Sequence, residues 1–501
     1  MGADSFKYVL IALFIASTYF LSLIGMRKTR SLSGFSIGNG DMSPYLVGIT
    51  MAASIASTAT FVINPGFVYV HGLSAYLHYG PSAFLGMTVA LLLLSRGFRR
   101  IGAETAALTL PHWIFLRYGS RPLSLFFAFA NLLSIAFVVL ILVGCAILCS
   151  SLFGLSQKMA LVLVMLFVFS YVLMGGAYAH AYTNCLQGIL MAAIALLLFF
   201  TGFHYFEGDL LAGLASQGSA YAAVFNPQSP LYNDFFSVMA SSFLITFALM
   251  MQPHILTKVL YLRKDGDLGR FLFTTLTIAA VFSLVLFVGF YARLKGMEIP
   301  EQDQVVVRYI GSEFSSSVAG KMVLAFISVA LLAAGMSTLD GILVALSSMV
   351  VNDIFLPFRS AKPSASQSAS QSQGLLLSRL VLMAIGLVSL ALAWDPPRLV
   401  GLFAQKGVYG LAVACVVPVT LGVLLPRQPA PWLMGVAAAI ALGGHFLLQR
   451  YAGMQNPSVS ASYAMLASFV VALLTWFFLP AARLSARASG VDRGPCPASR
   501  R

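Results

Sequence analysis

The sequence predicts an all-α polytopic membrane protein with about 13 transmembrane helices. Three observations carry this. Hydrophobic residues make up 59% of the 501 and charged residues only 9%, against roughly a quarter charged in soluble domains, and the mean hydropathy is +0.89. Apolar runs of about 20 residues, enough to cross a ~30 Å hydrocarbon core, recur from one end of the chain to the other. Between them, loops rich in Lys and Arg alternate with loops that are poor in both.

The spans fall near residues 7–26, 45–67, 73–96, 123–152, 158–175, 183–203, 235–257, 271–293, 316–352, 376–394, 400–425, 430–450 and 462–480. The first follows Lys7, lacks a small-residue cleavage site and runs into further spans, so it reads as a retained helix rather than a leader. With the N-terminus outside, one face receives 21 of the 30 Lys and Arg residues, while the opposite loop 207–234 holds acids and no Lys or Arg. Basic loops stay cytoplasmic, which predicts a multi-pass plasma-membrane protein, in a bacterium the inner membrane, with its C-terminus in the cytoplasm. This asymmetry is sufficient to explain the net charge of +14, so no nucleic-acid partner is expected; the bilayer itself is. Residues 1–480 form the transmembrane domain, and 481–501 a short basic cytoplasmic tail. A low-complexity stretch, residues 360–374, reads as a linker that cannot bury enough apolar surface to order itself. The five cysteines show no disulfide or metal spacing and read as small apolar fillers.

Two spans carry polar or small residues where lipid-facing helices would not. These are "MAASIASTATFVINPG" (51–66) and "SSFLITFALMMQPHIL" (241–256). For the first, one reading is close helix packing through small residues; the other is a helix broken at depth, which membranes tolerate only where backbone lines a cavity or is buried in protein. With the first span set aside as peripheral, the two stretches open consecutive five-span units, near 45–203 and 235–425. Units with an odd number of spans are inverted relative to each other, and broken opening helices then offer carbonyls to a cation.

Fifteen of the sixteen acidic residues fall in loops, termini or span ends, whereas Asp340 lies deep in a span. A charge at the bilayer centre costs about 2.5–3.5 kcal/mol on insertion scales and marks ion or proton handling. Ser337 and Thr338 precede it, and adjacent hydroxyls about 100° apart on a helix can grip an ion against a neighbour. The alternative is that the hydroxyls bond back to their own helix and Asp340 is a structural acid. His254 reads as a cap or gate element, and His180 and His204, near span ends, receive no role.

At these residues the chain resembles the sodium:solute symporter family. The motifs are "AAGMSTLDGILVALSSMVVNDIF" (333–355), "YVLMGGAYAHAYTNCLQGILM" (171–191) and "QPHIL" (252–256), and the likeness covers roughly residues 7–480. The resemblance implies a leucine-transporter-type inverted repeat of two five-helix units plus peripheral helices. It also implies a sodium site formed by the carbonyls of Ala53, Ala56 and Ala334 and the hydroxyls of Ser337 and Thr338, neutral oxygens suited to a hard cation. Where the family pattern often reads Thr-Asp, this chain has Thr183 and Asn184. A second cation or proton site would therefore rest on Asn184 with Asp340. By the same pattern, solute contacts come from Ser57, Thr60 and Phe61, from Tyr76, His78 and Tyr79, and from Gln405, Lys406 and Tyr409. Lys406 either pairs with a solute carboxylate or snorkels to the outer surface.

The expected function is sodium-coupled symport of a small organic solute, a monocarboxylate or an amino acid, by alternating access, with sodium as coupling ion and no other cofactor. The alternative is a membrane sensor on the same scaffold. No catalytic cluster lies at membrane depth, so an enzyme is not expected.

Overall fold

The computed structural model describes residues 3–206, 208–359, 367–396 and 400–478. The described residues hold helices and one isolated bridge, Met42 to Leu262. The membrane-crossing elements, in chain order, are α1 (Ala3–Lys28), α2a (Pro44–Ile55) with α2b (Ala59–His71), α3 (Leu73–Glu104) and α4 (Arg121–Ser150). A helix Gln157–Thr201 follows, 45 residues long. At 1.5 Å per residue it would run about 68 Å, over twice the hydrocarbon thickness. Gly176, at φ 50° and ψ −133°, divides it into α5 (157–175) and α6 (177–201). Next come α7a (Phe236–Leu249) with α7b (Pro253–Tyr261), α8 (Asp265–Leu294), α9 (Val318–Phe355), α10 (Gln367–Ala393), α11 (Val400–Leu424), α12 (Pro431–Tyr451) and α13 (Pro457–Phe478).

Two spans are broken where the sequence places small and polar residues. α2 bends by 54° and α7 by 64°. At the first break the helix stops at Ile55 and Ala56 is extended, at φ −87° and ψ 101°; Ser57 Oγ then accepts from Ala59 N at 3.1 Å as the chain restarts. At the second, Gln252 is extended (φ −61°, ψ 144°) and Pro253 sits at the first helical position, where its missing N–H costs nothing. Each break opens a five-span unit, α2–α6 and α7–α11.

Burial orders the helices. The apolar windows of α9 and α11 are 72% and 89% buried, that of α1 only 22%. α9 and α11 are thus the interior of the bundle, and α1 is peripheral. α1 nevertheless approaches α6 closely: a Cβ on Gly25 would lie 2.7 Å from Ala179 Cα. Gly335 serves the same purpose at the centre, where a Cβ would reach within 2.6 Å of Thr58 Oγ1 and overlap Cys145 Sγ.

Three expectations change. The stretch 360–374 is not wholly linker: Gln367 to Gly374 form the opening turns of α10, because adding turns to an existing apolar helix avoids the cost of nucleating a new one; residues 360–366 lie outside the described residues, as do 481–501. The sixth span begins at residue 177 rather than 183, which brings His180 inside a helix. Lys258, one of the 21 basic residues assigned above to the cytoplasmic face, belongs to no loop: it is 1% exposed on α7b, its Nζ donating to the His254 carbonyl.

Candidate ion and solute site

The break in α2 frees carbonyls that an unbroken helix would occupy. Ala53 and Ser54, in the last turn of α2a, instead meet hydroxyls from α9. Ser337 Oγ lies 2.8 Å from Ala53 O and 2.9 Å from Ala334 O, and Thr338 Oγ1 donates to Ser54 O at 3.1 Å. Ser337 and Thr338 have no exposed surface, and Ala53, Ala56 and Ala334 are buried with them. The structure therefore brings together α2a and α9, 284 residues apart in sequence, through neutral oxygens only. This donor chemistry fits an alkali cation.

A third helix closes the seam. Asn184 on α6 donates through Nδ2 to Ser337 O at 2.7 Å and to Ser54 Oγ at 3.1 Å. Its Oδ1 is buried and has no hydrogen-bond partner among the described residues. A buried unpaired acceptor is costly, and a cation beside it would remove that cost.

Asp340 is fully buried one turn away. Its Oδ1 lies 2.8 Å from His180 Nδ1, and Oδ2 accepts from Tyr171 at 3.3 Å and from Thr183 at 3.5 Å. His180 Nε2 is 3.5 Å from Ser54 Oγ, so the pair and the seam form one continuous polar network. Gly341 makes room for it: a Cβ there would sit 2.8 Å from the His180 ring. Sequence alone assigns His180 no role. The signal was present as a helical stripe, His180, Asn184 and Gln187, which shares one face of α6.

Beside the seam, the two breaks bound a cavity with about 1260 Å³ of empty space, its mouth included. Ser57, Thr60, His78, Tyr79, Gln405 and Tyr409 line it. Among the described residues no Asp, Glu, Lys or Arg does. Three anticipated contacts lie elsewhere. The Phe61 ring packs edge-on against Phe282, centroids 5.4 Å apart, and Tyr76 packs against Phe287 and Phe290 at 5.2 and 5.4 Å. Phe61 lies within a wide π-helical turn, 59–63, which shifts the helical phase. Lys406 is exposed, and its carbonyl is 2.9 Å from His445 Nε2. The sequence missed Gln252, which lines the cavity at the α7 break.

Two inverted five-span units, each opened by a broken helix, with an oxygen seam and a cavity at the breaks, define a secondary transporter. The family model described as the sodium:solute symporter family matches residues 35–431, and the chain belongs to that family. Among its relatives, it is 26% identical to the sodium/pantothenate symporter of Haemophilus influenzae over 446 residues, covering 87% of this chain and 88% of that one. It is also 26% identical to the high-affinity proline transporter PutP of Bacillus subtilis, covering 90% and 93%. Among solved structures, it superposes on the substrate-bound outward-open state of a Na+-coupled sialic acid symporter with a TM-score of 0.76, at 17% identity, covering 95% and 98%. The closed conformation of Mhp1, a nucleobase-cation-symport-1 family transporter, gives 0.55 at 14% identity, covering 89% and 94%. These structures share the fold. The chain is a sodium-coupled symporter of the membrane, not an enzyme.

Proposed function

We propose that the protein imports a small amino-acid-like zwitterion with sodium held between Ala53, Ala56, Ala334, Ser337 and Thr338. The observation that carries the choice of solute is the cavity lining, which offers hydroxyls, amides and aromatic rings but no charged side chain among the described residues. Enclosing a net charge among neutral groups is expensive unless a counter-charge is present. A zwitterion carries its own, and the half-helix ends at the two breaks present partial charges of both signs. The proline transporter among the relatives is consistent with this reading. Asn184 and Asp340 support the sodium seam, and in this reading the pair also serves as a second cation or proton site. In this reading the units near 45–203 and 235–425 rock about the cavity, the N-terminus lies outside the plasma membrane and the C-terminus in the cytoplasm.

Energetics suit such a solute. One sodium ion crossing ~100 mV gains about 2.3 kcal/mol, and a tenfold sodium gradient adds about 1.4 kcal/mol. Together these support roughly 500-fold accumulation of a net-neutral solute. For a monoanion moved with one sodium the potential cancels, leaving about 10-fold.

The test is uptake into proteoliposomes of the twenty labelled amino acids, pantothenate and short monocarboxylates, with and without an inward sodium gradient. Expected is sodium-dependent, electrogenic accumulation of an amino acid. Accumulation confined to a monocarboxylate overturns the choice of solute, and binding without accumulation supports a sensor instead. In the same assay Lys406→Ala should retain uptake within about twofold, since an exposed side chain away from the cavity contributes little; a loss of tenfold or more would return Lys406 to the site.

A further inference from the structure

Tyr79 lines the cavity, and its hydroxyl is engaged from two sides. Gln405 Nε2, from α11, donates to it at 3.2 Å. Tyr232 Oη, from the loop between α6 and α7, lies 2.8 Å away. Tyr232 is 2% exposed and lies outside the cavity lining. Its position is fixed by the loop. Asn226 Nδ2 donates to His71 O at 3.1 Å, Tyr232 N to Ser229 Oγ at 3.0 Å, and Asn456 Nδ2, at the entrance to α13, to Leu231 O at 2.6 Å.

The direction of the Tyr79–Tyr232 bond follows from counting hydrogens. Tyr79 is the hydrogen-bond partner that the described residues supply to the Tyr232 hydroxyl. Were Tyr79 the donor, the Tyr232 hydrogen would be buried without an acceptor, which is costly. With Tyr232 as donor, both lone pairs of the Tyr79 oxygen are filled, one by Tyr232 and one by Gln405. The Tyr79 hydrogen is then left to point toward the cavity.

We infer that Tyr232 is a positioning residue that, with Gln405, turns Tyr79 into a dedicated hydrogen-bond donor for an oxygen of the solute, in the zwitterion proposed above its carboxylate. The inference rests on that reading of the cavity. It assigns the outer loop a part in solute selection, and it gives the carboxylate a neutral donor where no Lys or Arg is present among the lining residues.

The experiment uses the full-length protein in proteoliposomes and the labelled solute from the same panel that wild type accumulates fastest. Tyr232→Phe keeps the ring and removes the donor. It is expected to raise the half-saturating solute concentration about 3- to 10-fold, the worth of one oriented hydrogen bond, with the sodium half-saturation unchanged within about twofold. Competition by the corresponding decarboxylated amine should be unaffected, a selectivity that a general packing defect would not produce. Tyr79→Phe should weaken affinity as much or more, and Tyr79→Phe with Tyr232→Phe no further than Tyr79→Phe alone. Unchanged affinity in either single variant, additive losses, or an equal loss for the amine overturns the role of Tyr232. If Tyr232→Phe fails to fold, Asn456→Ala, which releases the loop at Leu231, should give the same carboxylate-selective loss, and its absence overturns the role of Tyr232. A wild-type protein that accumulates nothing overturns the transport reading and this inference with it.

Discussion

Replacing Ser337 and Thr338 together by alanine is expected to raise the sodium concentration for half-maximal uptake by about 100-fold or more. Each hydroxyl oxygen would be a direct ligand, and hydrogen-bond-strength interactions with a charge are worth about 1.5–3 kcal/mol each. The same hydroxyls also bridge α9 to Ala53 and Ser54, so a thermal unfolding scan without sodium separates a folding defect from a binding defect. Thr338→Ser, which keeps the hydroxyl, should stay close to wild type in uptake. Normal sodium activation in the double alanine variant would remove α9 from the ion site.

The second large effect is at Asp340. Truncation to alanine leaves His180, Tyr171 and Thr183 without the oxygens they face, inside a region with no exposure to water. Breaking a buried pair from one side costs about 3–5 kcal/mol, whereas replacing both partners with apolar groups of similar volume is often neutral. Asp340→Ala is therefore expected to lower the unfolding temperature in detergent markedly, and Asp340→Leu combined with His180→Leu to restore most of it. Asp340→Asn keeps the shape and should shift ion stoichiometry or pH dependence of uptake more than solute preference. If the unfolding temperature of Asp340→Ala matches wild type, the pair is not a structural tie between α6 and α9.

The sequence displays what the membrane forces into the open. A carboxylate at residue 340 stands out because hydrocarbon makes charge expensive, and the α2 break is visible because Ser54, Ser57, Thr58 and Asn64 do not suit lipid. The span count is legible for the same reason. What is hidden depends on phase and on contacts between distant segments. The π-helical turn at 59–63 shifts the phase around Phe61, and no residue type announces such a turn. A few residues of error at the start of α6 conceal His180, although its i, i+4 relation to Asn184 is a helical signature. Lys258 resembles a loop lysine because a lone cation near a span end usually is one, yet here it is 1% exposed. Tyr232, which belongs to a polar loop, acquires meaning only once Asn226 and Asn456 pin that loop against Tyr79.

Central to all of this is an alkali ion shared between the broken α2 and the intact α9. Equilibrium binding of radioactive sodium to the purified protein, in detergent and without solute, measures it most directly. Saturable binding in wild type that persists in Lys406→Ala and disappears in the Ser337→Ala, Thr338→Ala double variant is the predicted result. Equal binding by wild type and the double variant, both folded, would contradict it.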